Sequence, residues 1–303
     1  MFRKIVKIAP SPFQLDHSDR LITLGSCFSD SIGKKLKLSR FELLLNPFGT
    51  IFHPNALSSL FKGVDRGNMV SGESVFFHWQ FGGAIYGKSR EELISKVDDV
   101  SVDFCNKIEN ATVVWVTLGT AWGYILKETN EIVANCHKKP QQLFDKKLFG
   151  AEEILEEWQP IIDKFNDVKW VFTVSPVRHW KDGVRENNVS KGILHHAIHK
   201  LLENNNVFYF PAYEILLDEL RDYRFYDSDY LHPSQEAIDY IWMRFRETYF
   251  SSRTEELVKR IEHVEISKNH KIMFPDSEES RKFLRGLETE EREINEVLSE
   301  YLI

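Results

Sequence analysis

Gly25-Ser26-Cys27 sets two candidate nucleophiles side by side, just after the apolar run Leu21 to Leu24 and just before a stretch with helical spacing through Ile32 and Leu36. A nucleophile on a strand-to-helix turn gains twice: the sharp turn exposes its side chain, and the helix N-terminus favours negative charge. The N–H groups of that first helical turn are also suited to holding an oxyanion. Far downstream, Asp229-Tyr230-Leu231-His232 puts a carboxylate three positions before a histidine, ahead of a helix that begins near Pro233. The imidazole of such a pair can take a proton while the carboxylate fixes its tautomer and stabilises the imidazolium. Taken alone, Asp-x-x-His reads as a cap or a surface pair; its place after five strands, opposite a nucleophile after the first, gives it weight. Together the two constellations point to acyl transfer.

The elements that must position these residues are short apolar runs separated by helical periodicity. Leu21 to Leu24, Phe41 to Leu45, Thr112 to Leu118, Val168 to Val174 and Val207 to Phe210 have the character of buried parallel strands. Between the last three, Ile154, Leu155, Trp158, Ile161, Ile162 and Phe165 keep a helical period, as do Val189, Ile193, Leu194, Ile198 and Leu201. The pattern is β-α-β, which predicts a three-layer α/β/α domain with about five parallel strands. Ligands of such sheets sit beyond the carboxyl ends of the strands. The loops there read Gly25-Ser26-Cys27-Phe28, Asn46-Pro47-Phe48-Gly49-Thr50, Gly119-Thr120-Ala121-Trp122 and Ser175-Pro176-Val177-Arg178-His179. Ser74 to Gly87 predicts a hairpin inserted beside the core. Beyond about Phe250 the chain turns charged, predicting an irregular stretch through Pro275 and then a helix with Phe283, Leu287, Ile294, Val297 and Tyr301 on one stripe. The division expected is a catalytic domain over 1–250 and a helical extension over 251–303. The extension could dock on the domain, or meet a protein partner or a second copy of the chain.

These loops, with Thr117-Leu118 ahead of the third, Asn135-Cys136-His137-Lys138 and Asp229-x-x-His232-Pro233-Ser234, resemble in order the successive motifs of the GSCFA family, from about Leu21 to Phe245. Only Ser29 departs from the five letters of the name, standing in place of alanine. The resemblance implies an SGNH-like (GDSL-like), flavodoxin-type fold, whose members are mostly esterases, carbohydrate acyl-hydrolases and acyltransferases. Aligned with the Gly-Asp-Ser pattern of that superfamily, Cys27 falls at the nucleophile and Ser26 where aspartate usually stands. Either could attack; the thiol is favoured because a helix N-terminus and a histidine would ease its ionisation. The same alignment makes Gly49 the second-block glycine that lends an N–H to the oxyanion. It places Gly119-Thr120-Ala121 on the third-block Gly-x-Asn, so the side-chain donor is missing. Asn46, Thr120, Trp122 or Asn135 could replace it; loss of one such donor costs roughly 3 to 4 kcal/mol of transition-state stabilisation.

His137 and His179 lie in motif loops, where they could touch substrate or serve structure, and Arg178 could bind a substrate anion or stand in an ion pair. Trp79, Phe81, Trp122 and Trp180 suit a sugar-lined cleft, although core packing is the ordinary use of such rings. His195 and His199 are spaced i,i+4 without a third ligand in view, so neither a metal nor any other cofactor is expected. Among 303 residues, 42% are apolar and 13% aromatic, enough for one large core. A formal charge of −7 gives no footprint for nucleic acid. No run approaches the ~18 apolar residues of a membrane span. Three scattered cysteines, Cys27, Cys105 and Cys136, fit a reducing compartment, so the expectation is a cytoplasmic protein acting on a small-molecule or carbohydrate ester. Acyl hydrolysis is the first reading. A carbohydrate O-acyltransferase and a catalytically silent domain that binds a glycan or protein through the same cleft are the alternatives.

Overall fold

The structure, a computed structural model, describes residues 4–268 and 277–302. Strands β1 (Arg20–Gly25), β2 (Glu42–Leu45), β3 (Val113–Leu118), β4 (Lys169–Val174) and β5 (Val207–Tyr209) coincide with the five predicted runs. They pair in parallel, in the order β5-β4-β3-β1-β2. From β1 the chain moves one way to β2 and the other way to β3, so the carboxyl ends of β1 and β3 border the crevice where such sheets bind ligands.

Alternation along the strands divides the core. Ile22, Leu24, Val114, Val116, Trp170 and Phe172 face α3 (Arg90–Ile108), α4 (Ala151–Lys164) and α5 (Val184–Leu201). Leu21, Val113, Trp115 and Val171 face α1 (Cys27–Leu38) and α6 (Gln235–Tyr249). A parallel sheet must be covered on both sides, and here it is, giving the predicted α/β/α layers. Helix α2 (Pro54–Ser59) joins the first of these layers.

Two antiparallel sheets are inserted at the carboxyl edge. The predicted hairpin is present as Phe76–His78 against Tyr86–Gly87, with Met69–Ser71 added as a third strand. The other, Trp122–Leu126 between Glu131–Val133 and Phe144–Leu148, was not legible. Its edges are short or interrupted by Asp145, Lys146 and Lys147, which blur the alternation that marks a strand.

The C-terminal expectation needs correction. Most of the stretch predicted to be irregular is helix α7 (Ser252–Lys268), which buries Leu257, Val258, Ile261 and Val264; the remainder of that stretch, residues 269–276 with Pro275, lies outside the described residues. Helix α8 (Glu278–Ser299) buries Leu287 and Ile294 against α7, with Val297 and Tyr301 packed alongside, but Phe283 of the predicted stripe is exposed. Arg40 reaches across to Glu265 of α7 and to Glu291 and Asn295 of α8, and Tyr301 lies against His17, so the two helices dock on the domain.

One buried ion pair fixes α6. Glu219 is fully enclosed and accepts from Arg244 Nη1 at 2.5 Å, from the Tyr240 hydroxyl and from the Val6 N–H at 3.0 Å. Arg244→Met would leave that carboxylate buried without its counter-charge, a situation that costs about 3 to 5 kcal/mol. Denaturant unfolding is expected to show a loss of that size, and Glu219→Gln/Arg244→Met together should recover part of it.

Candidate active site

The turn from β1 into α1 is built on Gly25, whose φ of +126° is closed to L side chains. A Cβ there would lie 2.1 Å from the Thr117 carbonyl oxygen of β3. The adjacent Ser26 N–H donates to that same oxygen at 3.1 Å, which locks the turn onto the sheet. Ser26 occupies the N-cap position of α1, yet its side chain makes no capping bond; it is wholly buried, with no partner for Oγ. Cys27 is a free, half-buried thiol. Of the two residues, Cys27 is the one open to solvent.

Burial is the main effect on Cys27, pushing its thiol up, and Asp30 adds to this; the Cys27 and Phe28 N–H groups and the Lys191 charge pull the other way. Asp30 is itself held one turn along α1 by Asn46 Nδ2 at 2.7 Å and Thr50 Oγ1 at 3.1 Å, so the second-block loop is tied to α1. That bond engages the Asn46 amide. Gly49, expected to lend an N–H to the oxyanion, donates it instead to the Asn46 carbonyl at 2.8 Å, closing a turn in which both residues have positive φ.

The third-block loop is likewise internally satisfied. The Thr120 hydroxyl shares a hydrogen with Ser190 Oγ at 3.0 Å and accepts from the Trp122 N–H, while the Trp122 indole donates to the Glu186 carbonyl at 3.4 Å. These side chains fasten the loop to α5; their hydrogen-bonding groups are already engaged. Asn135 and His137 lie together beyond the inserted hairpin. They line a separate hollow of about 650 Å³ with Glu73, Ser74, Phe77 and Lys138. His137 stacks on Phe77 at 4.6 Å, bonds the His78 carbonyl and is pushed down to about 4 by burial. Trp79 and Phe81 are core residues.

The residue that sequence reasoning missed is Lys191. It sits on the inward face of α5 with Asn187, Ser190 and Leu194, fully buried, and its Nζ donates to the carbonyls of Gly119 and Ser175 at 2.7 Å each. Those carbonyls end β3 and β4, so one side chain clamps the two loops that flank the crevice. Burial lowers it to about 7, opposed by Cys27. The only signal in the sequence was that α5's apolar stripe, followed toward its N-terminus, continues through polar residues.

Beside Lys191 lies His179, just past β4. Its N–H donates to Asn187 Oδ1 at 2.9 Å, its ring meets Phe52 edge-on, and its Nε2 is buried without a partner. Burial first, then the charges of Lys191 and His232, push it down to about 3, so it is neutral. Arg178 is not in an ion pair among the described residues. Its guanidinium lies 4.0 Å from the Tyr226 ring centre, with Trp180 and Tyr223 nearby, and its N–H donates to the Leu231 carbonyl at 3.1 Å. That bond fixes the histidine loop to the end of β4.

Within this loop Asp229 Oδ1 accepts the N–H groups of Leu231 and His232, and Oδ2 meets His232 Nδ1 at 2.6 Å. These bonds, led by the His232 N–H, hold the Asp229 carboxyl down at about 2, so it is ionised. The arrangement puts the proton on Nδ1 and leaves Nε2 as the basic nitrogen. Asp229 and His232 are both partly open to solvent. Among the described residues no group of three or more His, Cys, Asp or Glu side chains is placed to hold a metal; His195 faces Glu214 at 3.7 Å. No helix among them is long and apolar enough to cross a membrane.

A five-stranded parallel sheet covered on both faces, with a free thiol at the first strand-to-helix turn and a carboxylate-held histidine in a loop past the last strand, defines an α/β/α protein. The sequence model of the GSCFA family matches residues 20–245, and the chain belongs to that family. No curated protein matches it.

Proposed function

We propose that the protein is an SGNH-like acyl hydrolase that cleaves an O-acyl ester of a carbohydrate or small metabolite through an acyl-enzyme at Cys27. The observations that support this reading are a partly exposed thiol at the N-terminus of α1 and, in a loop past the last strand, an imidazole held at Nδ1 by Asp229. Sγ attacks the ester carbonyl as His232 takes its proton, and the N–H groups of Cys27 and Phe28, at the positive end of α1, receive the oxyanion. The alcohol leaves with that proton from His232, which then draws a proton from water as it attacks the thioester and returns it to the departing sulfur. An acceptor hydroxyl in place of water would make the same chemistry a transfer. Three free cysteines support a reducing, cytoplasmic setting.

The test is turnover of short-chain p-nitrophenyl esters. Positioned general bases contribute about 10²- to 10⁴-fold, so His232→Ala should lower kcat by that range and Asp229→Asn by less. Equal turnover in wild type and His232→Ala would remove the imidazole from the mechanism.

A further inference from the structure

We propose that Arg178 is a substrate-binding residue whose guanidinium receives a carboxylate or phosphate carried by the ester, beside the loop of His232. The inference rests on the hydrolase reading above and deepens it by naming an anionic ester as the substrate class. Its ground is a guanidinium whose charge is cushioned but whose buried donor is idle. The central carbon of Arg178 lies 4.0 Å from the ring centre of Tyr226, 5.1 Å from that of Trp180 and 5.4 Å from that of Tyr223. Ring faces attract a cation through their π electrons. They offer no lone pair to the N–H groups, which lie in the guanidinium plane. Nη1 is buried without a hydrogen-bond partner, and so is the hydroxyl of the 92% buried Tyr226. A charged donor left unpaired in a protein interior is costly, and an oxyanion accepting from it removes that cost. The cluster is not sealed: Arg178 and Trp180 are half-buried and Tyr223 is exposed.

Backbone pairing places this cation against the histidine loop. The Arg178 N–H donates to the Leu231 carbonyl at 3.1 Å, one residue before His232. On the other side of the loop Tyr226 pairs with Pro233 in an antiparallel bridge, and the Asp227 N–H donates to the His232 carbonyl at 2.8 Å. The guanidinium is thereby held between the end of β4 and the segment that carries Asp229 and His232. Its positive charge also opposes the upward push of burial on the Tyr213 and Tyr226 hydroxyls. An arginine suits a carboxylate or a phosphate because its planar fork meets two oxygens at once, which a lysine cannot do.

Calorimetric titration of the wild type with succinate, and separately with inorganic phosphate, is expected to show saturable binding, and the tighter of the two identifies the anion as carboxylate or phosphate. Arg178→Met should weaken that binding at least about tenfold. Arg178→Lys, which keeps the charge and loses the fork, should weaken it at least about threefold. Binding of neither anion below about 20 mM, or equal affinity in wild type and Arg178→Met, would overturn the assignment. The bound anion should also raise the KM of p-nitrophenyl butyrate and leave kcat unchanged; an anion that binds through Arg178 without raising KM would overturn its place in the substrate crevice. The titration needs no turnover, so the two readings fail separately. Anion binding through Arg178 with no hydrolysis of any ester would sink the hydrolase reading, whereas ester turnover with no anion binding would sink the Arg178 site alone. If Arg178→Met does not fold, the Nε–H resonance of Arg178 in the wild type, assigned with Arg178→Lys, decides. A saturable shift with succinate or phosphate supports the proposal, and an unmoved resonance overturns it.

Discussion

Cys27→Ala is expected to abolish acyl-enzyme formation and to lower ester turnover by at least about 10³-fold, while Ser26→Ala keeps both. The contrast follows from exposure. The two side chains are adjacent, but the turn buries Ser26 Oγ completely and leaves Cys27 half open. Because Ser26 Oγ has no partner, its removal strands no other group, and Ser26→Ala should alter stability by no more than about 1 kcal/mol. Cys27→Ser should fall near Cys27→Ala, since a hydroxyl holds its proton far more tightly than a thiol. Intact-protein mass after brief exposure to p-nitrophenyl butyrate reads these outcomes directly. An adduct lost in Ser26→Ala and kept in Cys27→Ala would transfer the nucleophile to the hydroxyl.

The second large effect is at Gly25. Alanine there adds a Cβ that meets backbone, the Thr117 carbonyl oxygen, in the centre of the sheet where neighbours cannot move aside. It also forces a side chain into φ +126°. Strain and clash together are expected to destabilise the fold by on the order of 3 to 5 kcal/mol and to lower the melting temperature by roughly 10 °C. The Ser26 N–H bond to Thr117 shares the same oxygen, so any relaxation must displace the turn that carries Cys27, and under the proposed function activity should fall further than stability. Gly192 is the control. A Cβ there meets nothing within 4 Å on helix α5, so Gly192→Ala should be neutral or stabilising by up to about 1 kcal/mol. Equal losses at the two glycines would refute the steric argument.

How much of this was legible in the sequence depended on the physics each part used. Buried parallel strands are uninterrupted apolar runs, and all five were found within a residue or so of their ends because nothing else in the chain looks like them. The Asp229–His232 contact was legible because three residues suffice to close it. Lys191 was not, since a lysine on an amphipathic helix ordinarily marks the solvated face, and only the tertiary meeting of the Gly119 and Ser175 carbonyls makes its burial tolerable. Gly49 was assigned by alignment to the oxyanion, but its N–H closes a local turn, a choice made by backbone geometry that no spacing reveals. Helix α7 was hidden by its charge: Arg246 and Arg260 pair with its and its neighbours' carboxylates across helices, so residues that looked like a solvated linker are part of packed surfaces.

The most direct measurement is to locate the acyl group. Wild-type protein quenched at low pH during turnover of p-nitrophenyl butyrate should carry one butyryl group per chain, on the peptide containing Cys27 and removable by hydroxylamine as a thioester. Steady turnover with no adduct on that peptide, or with the group on another residue, would contradict covalent catalysis by Cys27.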